Sequence, residues 1–124
     1  MNPTGHGMEK LDEIVQLSIL YDFYGELLSE HKKQLFEDYI LNDLSLSEIA
    51  EERKISRQGV HDMIRRCSRE LKDYESKLAL VQKFQSAKEK LNTIKEISQT
   101  IRQSGDLTGM STIETLADEI LKEL

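Results

Sequence analysis

The chain has 124 residues, with 23 Asp and Glu against 17 Lys and Arg, a net charge of −6, 38% hydrophobic residues, one Pro, six Gly and no Trp. That size suits one small domain with an appendage, and the acidic balance excludes a protein that coats nucleic acid or anionic membrane indiscriminately. A wealth of Glu, Lys, Leu, Ile and Ser predicts an all-α fold, the single cysteine excludes an internal disulfide, and the lack of any apolar run near the ~20 residues of a membrane span makes a cytoplasmic protein the expectation.

Residues 1–7, MNPTGHG, hold the only Pro and two Gly with nothing apolar to anchor them, so a flexible tail is expected over residues 1–10. From Asp12 to Leu28 the positions Ile14, Leu17, Leu20, Tyr21, Tyr24, Leu27 and Leu28 recur at steps of three and four, joined by Val15, Ile19 and Phe23. This predicts a largely buried helix. Ser29 can cap a second helix with Leu35, Phe36, Tyr39 and Ile40 inward, and Asn42 suits the left-handed residue that often ends one. Ser45 and Glu48 form an S-x-x-E capping box flanked by Leu44 and Ile49, so a third helix starts at Leu46 and runs to about Arg53.

Ser56 offers a fresh N-cap, with Ile55 and Val60 at the staple positions of a fourth helix. Its series Val60, Ile64, Cys67, Leu71, Tyr74, Leu78 and Val81 then slips phase to Phe84, Ala87, Leu91 and Ile94, which predicts a bend or a break. The run SGDLTG, residues 104–109, reads as a turn, and Ser111 with Glu114 as a capping box before Ile113, Leu116, Ala117, Ile120 and Leu121. The expected organisation is a tail over 1–10, a helix-turn-helix domain over 11–85, and a C-terminal helical hairpin or dimerisation tail over 86–124.

Two capped helices across a tight turn, with small Ala50 where they pass, match a helix-turn-helix. A helical hairpin with no nucleic-acid role has the same outline, and charge placement favours the first. Between residues 53 and 77 eight basic residues face four acidic ones, while the remainder of the chain is strongly acidic. Such contrast orients a polyanion toward one helix. With Val60, Met63, Ile64 and Cys67 turned inward, Arg57, Gln58, His61, Asp62, Arg65 and Arg69 fall on the open face. In a major groove, Arg57 suits guanine and Gln58 adenine, and His61 can donate or accept. Arg53, Lys54, Arg65, Arg66 and Arg69, with free amides at the Ser56 helix start, would hold phosphates. Lys54 stands where this motif often has Gly, Gly59 is a poor helix former, and Asp62 would repel phosphate.

Catalysis is not expected. Cys67 lies in an apolar series, the three His lack metal-ligand spacing, and no phosphate-cradling Gly-rich loop is present, so no cofactor or metal is expected either. The spacing of the C-terminal helices suits internal packing, a homodimer seam, or a groove-filling helix for another protein.

Three segments, LYDFYGELL (20–28), YILNDLSLSEIAEE (39–52) and SRQGVHDMIRR (56–66), resemble the YlxM family of small bacterial proteins over about residues 20–84. The resemblance implies a wingless fold like the helix-turn-helix of sigma factor region four. It also implies a regulatory role in the signal recognition particle pathway, whose genes commonly neighbour those of the family. DNA, signal recognition particle RNA and proteins of that pathway are then the implied partners. RNA docking would rest on shape and phosphate, because an A-form major groove is too deep and narrow for a helix. The remaining alternative is an adaptor that binds protein alone.

Overall fold

The computed structural model describes the backbone from Pro3 to Leu124 and side chains from Leu11 onward. Among these residues there are six α-helices, two short 3-10 turns and no strand. Helix α1 is Pro3–Tyr24, α2 is Glu30–Ile40, α3 is Leu46–Arg53, α4 is Arg57–Leu78, α5 is Leu80–Ser104 and α6 is Met110–Glu123. Of the tail expected over residues 1–10, Met1 and Asn2 lie outside the described residues; from Pro3 the backbone is helical. A Pro in a first turn loses no hydrogen bond there.

Helix α1 ends earlier than its apolar spacing suggests, at Tyr24, and passes into the 3-10 turn Gly25–Leu27. The turn depends on Gly25, since a Cβ there would stand 2.7 Å from the ring of Tyr21. Leu17, Tyr21, Tyr24 and Leu28 form the buried stripe, while Val15 and Leu27 are exposed, so the buried face is narrower than the sequence implies. Ser29 caps α2 by accepting from the amide of Lys32. The left-handed residue after α2 is Asp43 and not Asn42, whose side-chain amide instead donates to Asp38 at 3.0 Å. That bond holds Asn42 to the helix it follows and moves the reversal one residue on.

Helix α4 is the spine of the first compact unit, which ends at Leu78, and α1, α2 and α3 all pack on it. Leu35 and Phe36 of α2, Ile49 and Ala50 of α3, and Val60, Ile64, Cys67 and Leu71 of α4 complete the core begun by α1. Aromatic pairs join the elements: Tyr21 meets Phe36 at a centroid distance of 5.7 Å, and Tyr24 stacks on Tyr74 at 5.9 Å. Both tyrosines keep a partner for the buried hydroxyl, as such groups require. Tyr24 donates to Glu75 at 2.5 Å and Tyr21 to Glu37. Burial, reinforced by Glu37, holds the Tyr21 phenol well above its usual range.

The phase slip read in the fourth helix is a clean break. Ala79, in the left-handed region at φ 52°, separates α4 from α5, and the second unit, Ala79–Leu124, begins there instead of near residue 86. Helices α5 and α6 form an antiparallel hairpin, in which Lys90 near the middle of α5 pairs with Glu119 and Glu123 near the end of α6. The reversal needs a residue without a side chain, because a Cβ on Gly109 would lie 2.5 Å from Cγ2 of Ile97. The expected Ser111–Glu114 capping box does not form: α6 begins at Met110, two residues before the Thr112 start that a Ser111 cap would give. Asp106 takes over the start, its carboxylate accepting from the amide of Thr108 at 3.0 Å, so the chain is already coiled before Ser111 is reached.

Candidate nucleic-acid interface

The candidate interface is built on the junction of α3 and α4. The capping box forms as read: Ser45 Oγ accepts from the amide of Glu48 at 3.1 Å, and Glu48 Oε1 accepts from the amide of Ser45 at 3.2 Å. Such a cap fixes where α3 starts and contributes about 1 kcal/mol. At its other end Lys54 adopts φ 57°, ψ 42°, and the amide of Ile55 bonds back to the carbonyl of Ala50 at 3.1 Å. This is the left-handed closure that glycine serves best. Ala50, only 8% exposed, lets α3 pass close to α4.

Because Lys54 carries a Cβ in that region, Lys54→Gly is expected to stabilise the fold by about 1 kcal/mol, the relieved strain exceeding the added freedom of the unfolded chain. Thermal denaturation checks this, and an unchanged or lower midpoint would show that no strain is stored at the turn.

Ser56 then caps α4, its Oγ accepting from the amide of Gly59 at 2.9 Å. A Cβ on Gly59 would meet that oxygen at 3.1 Å, so the poor helix former has a role: it leaves room for the capping hydroxyl. The amide of Val60 bonds to the carbonyl of Ser56, whereas those of Arg57 and Gln58 precede the intrahelical ladder. A capped helix start with open amides favours an anion.

From there the side chains sort themselves by the turn of the helix. Arg57, Gln58, His61, Asp62, Arg65, Arg66 and Arg69 are all exposed. At about 100° per residue, Arg57, His61, Arg65 and Arg69 form one gently drifting row, while Arg66 stands on the other flank. Lys72, which the sequence reading leaves out of the site, joins the row beside Arg65 and Arg69; its spacing of three from Arg69 was the available signal. None of these cations forms an ion pair with a described residue. Gln58 is engaged, its amide donating to Asp62 at 3.0 Å, so the acid on the open face is partly occupied by its neighbour.

Arg53 behaves differently from the rest. Its side chain is only 19% exposed, and the guanidinium pairs with Asp38 of α2 at 2.9 Å. In this arrangement it ties α3 to α2 and offers little to a phosphate. Lys54, at the turn, remains exposed.

Beside the basic row runs a groove of about 580 Å³, floored by Ile14, Leu17, Tyr39, Leu46 and Ile64 and edged by His61, Arg65, Arg69 and Lys72, with Glu13 on the facing side. A second hollow of about 430 Å³ lies among Leu46, Arg57, Gln58 and His61. Cys67 is fully buried beneath α4, and burial pushes its thiol up. Among the described residues no cluster of His, Cys, Asp and Glu could hold a metal ion, and no helix is long and apolar enough to cross a membrane.

The sequence has counterparts in known proteins. Residues 11–108 match the family described as "Putative helix-turn-helix protein, YlxM / p13 like". The chain belongs to the YlxM / p13-like family. It is 43% identical over 110 residues to a UPF0122 protein of Thermoanaerobacter sp., covering 88% of this chain and 94% of that protein. It is 40% identical over 100 residues to UPF0122 protein YlxM of Bacillus subtilis, covering 81% and 91%. A UPF0122 protein of Malacoplasma penetrans shares 44% over 89 residues, covering 72% and 82%. The match to the YlxM / p13-like family takes in all of α2, α3, α4 and α5, so the helix-turn-helix and the first helix of the hairpin are both within it.

Proposed function

We propose that this member of the family is a noncatalytic regulatory protein that binds duplex DNA by laying the start of α4 in the major groove, in the manner of sigma factor region four. The observation that carries the reading is the row Arg57, His61, Arg65, Arg69 and Lys72, exposed and without ionic partners among the described residues, at the outer side of a capped helix. Arg57 and Gln58 sit in the first turn, where a recognition helix reaches base edges; Arg65, Arg66, Arg69, Lys72 and Lys54 would hold backbone phosphates. Gln58 must leave Asp62 to read adenine. The family resemblance further suggests a cytoplasmic role in the signal recognition particle pathway.

The test is a titration of the full chain against matched duplex DNA and signal recognition particle RNA at several salt concentrations. Binding to DNA that falls steeply with salt supports the reading. Tighter binding to the RNA would move the target to a folded RNA, and binding to neither would remove nucleic acid from the account.

A second reading, an adaptor for another protein, is favoured by the groove. Phosphate contacts have no use for a floor of Ile14, Leu17, Tyr39 and Leu46, whereas an acidic segment with apolar anchors would use both floor and rim.

A further inference from the structure

The hairpin of α5 and α6 is a single layer of two helices, and apart from Val81 no described residue in it is buried. Its seam consists of half-buried side chains: Ile94, Ile97 and Ile101 against Leu116 and Ile120. A layer this thin leaves apolar surface uncovered, and the surface lies on one side. At about 100° per residue, Leu91 stands roughly a quarter-turn from the α5 seam, and Met110 and Leu121 stand roughly a quarter-turn from the α6 seam in the same rotational sense. In antiparallel helices equal rotations arrive on the same face. Leu91 is 56% exposed and Leu121 69%. The opposite face carries Glu89, Thr93 and Glu96 from α5 and Thr112 and Thr115 from α6.

The two helices also differ in charge. Helix α5 has five cations against two acids, and α6 has four acids against one cation. Beyond the apolar strip, Lys88, Lys95 and Arg102 edge the α5 side while Glu114 and Asp118 edge the α6 side. An apolar strip with a basic border and an acidic border is complementary to itself under a twofold rotation about an axis parallel to the helices. We propose that this face joins two copies of the chain into a homodimer. The two hairpins close into a four-helix bundle, with α5 of each chain lying antiparallel over α6 of its partner. The alternative rotation, about an axis across the helices, would set α5 on α5 and bring like charges together.

Sedimentation equilibrium of the full chain tests this, with circular dichroism confirming that each variant keeps its helix content. The wild type is expected as a dimer, and the folded variant Leu91→Glu with Leu121→Glu as a monomer. Reversing the α5 border with Lys88→Glu, Lys95→Glu and Arg102→Glu should raise the dimer dissociation constant about tenfold to a hundredfold. Adding Glu114→Lys and Asp118→Lys in the same chain should restore it. A wild type that stays monomeric at high concentration would overturn the proposal, as would a dimer indifferent to Leu91 and Leu121. A border reversal without effect, or without rescue, would overturn the pairing of α5 with α6. None of these outcomes depends on nucleic-acid binding.

Discussion

Replacing Arg57, Arg65 and Arg69 together by Ala is expected to weaken duplex DNA binding about a hundredfold or more near physiological salt. The slope of log K against log salt concentration should shrink by about 2 to 3, since each phosphate contact contributes close to one. The fold should be untouched, because all three side chains are exposed and none is paired with a described residue; surface changes of that kind usually stay within about 0.5 kcal/mol. Fluorescence anisotropy across a salt series, beside a urea denaturation curve, separates the two effects. Arg53→Ala is the contrast. It leaves the carboxylate of Asp38 half-buried without its cationic partner, so its expected effect is on stability and not on the salt slope. Unchanged affinity in a folded triple variant would transfer the function to the groove and a protein ligand.

The largest expected loss of stability follows Phe36→Ala. Phe36 is fully buried, reaches the ring of Tyr21, and sits on the helix that closes the core of α1 and α4. Removing a ring from such a site costs about 3 to 5 kcal/mol, a large share of the roughly 5 to 15 kcal/mol that holds a domain of this size. The midpoint should fall by about 15 °C or more in thermal denaturation. A loss below about 1 kcal/mol would mean that α2 does not pack through this residue.

What could be read from the sequence was what is decided within a few residues. Ser29, Ser45 with Glu48, and Ser56 were legible as caps because a capping hydroxyl reaches amides only two or three positions on, and all three bonds form. The inward stripe of α4 followed from its period alone, and with it the outward row of cations. Lys54 was legible as a strained turn residue for the same local reason.

Decisions made at longer range were not legible. Arg53 looked like its neighbours until α2 brought Asp38 against it from fifteen positions away. The slip after Leu78 announced a break, yet Ala79 has no preference for left-handed backbone, so nothing local marked its position. Ser111 and Glu114 have the composition of a capping box, and Asp106 pre-empted them by starting the coil sooner. Lys72 carried a local signal in its spacing of three from Arg69, but the groove it shares with His61, Arg65 and Arg69 is also lined from α1, α2 and α3 and was not legible.

Sealing the lone sulfur beneath α4 also makes the molecule convenient to instrument. Cys67 is the only cysteine in the chain, inaccessible and disfavoured as thiolate, so a maleimide dye will prefer any cysteine introduced at the surface. A fluorophore can therefore be attached at one chosen point beside the cationic row, and its emission followed as ligand arrives, with the native thiol left in place.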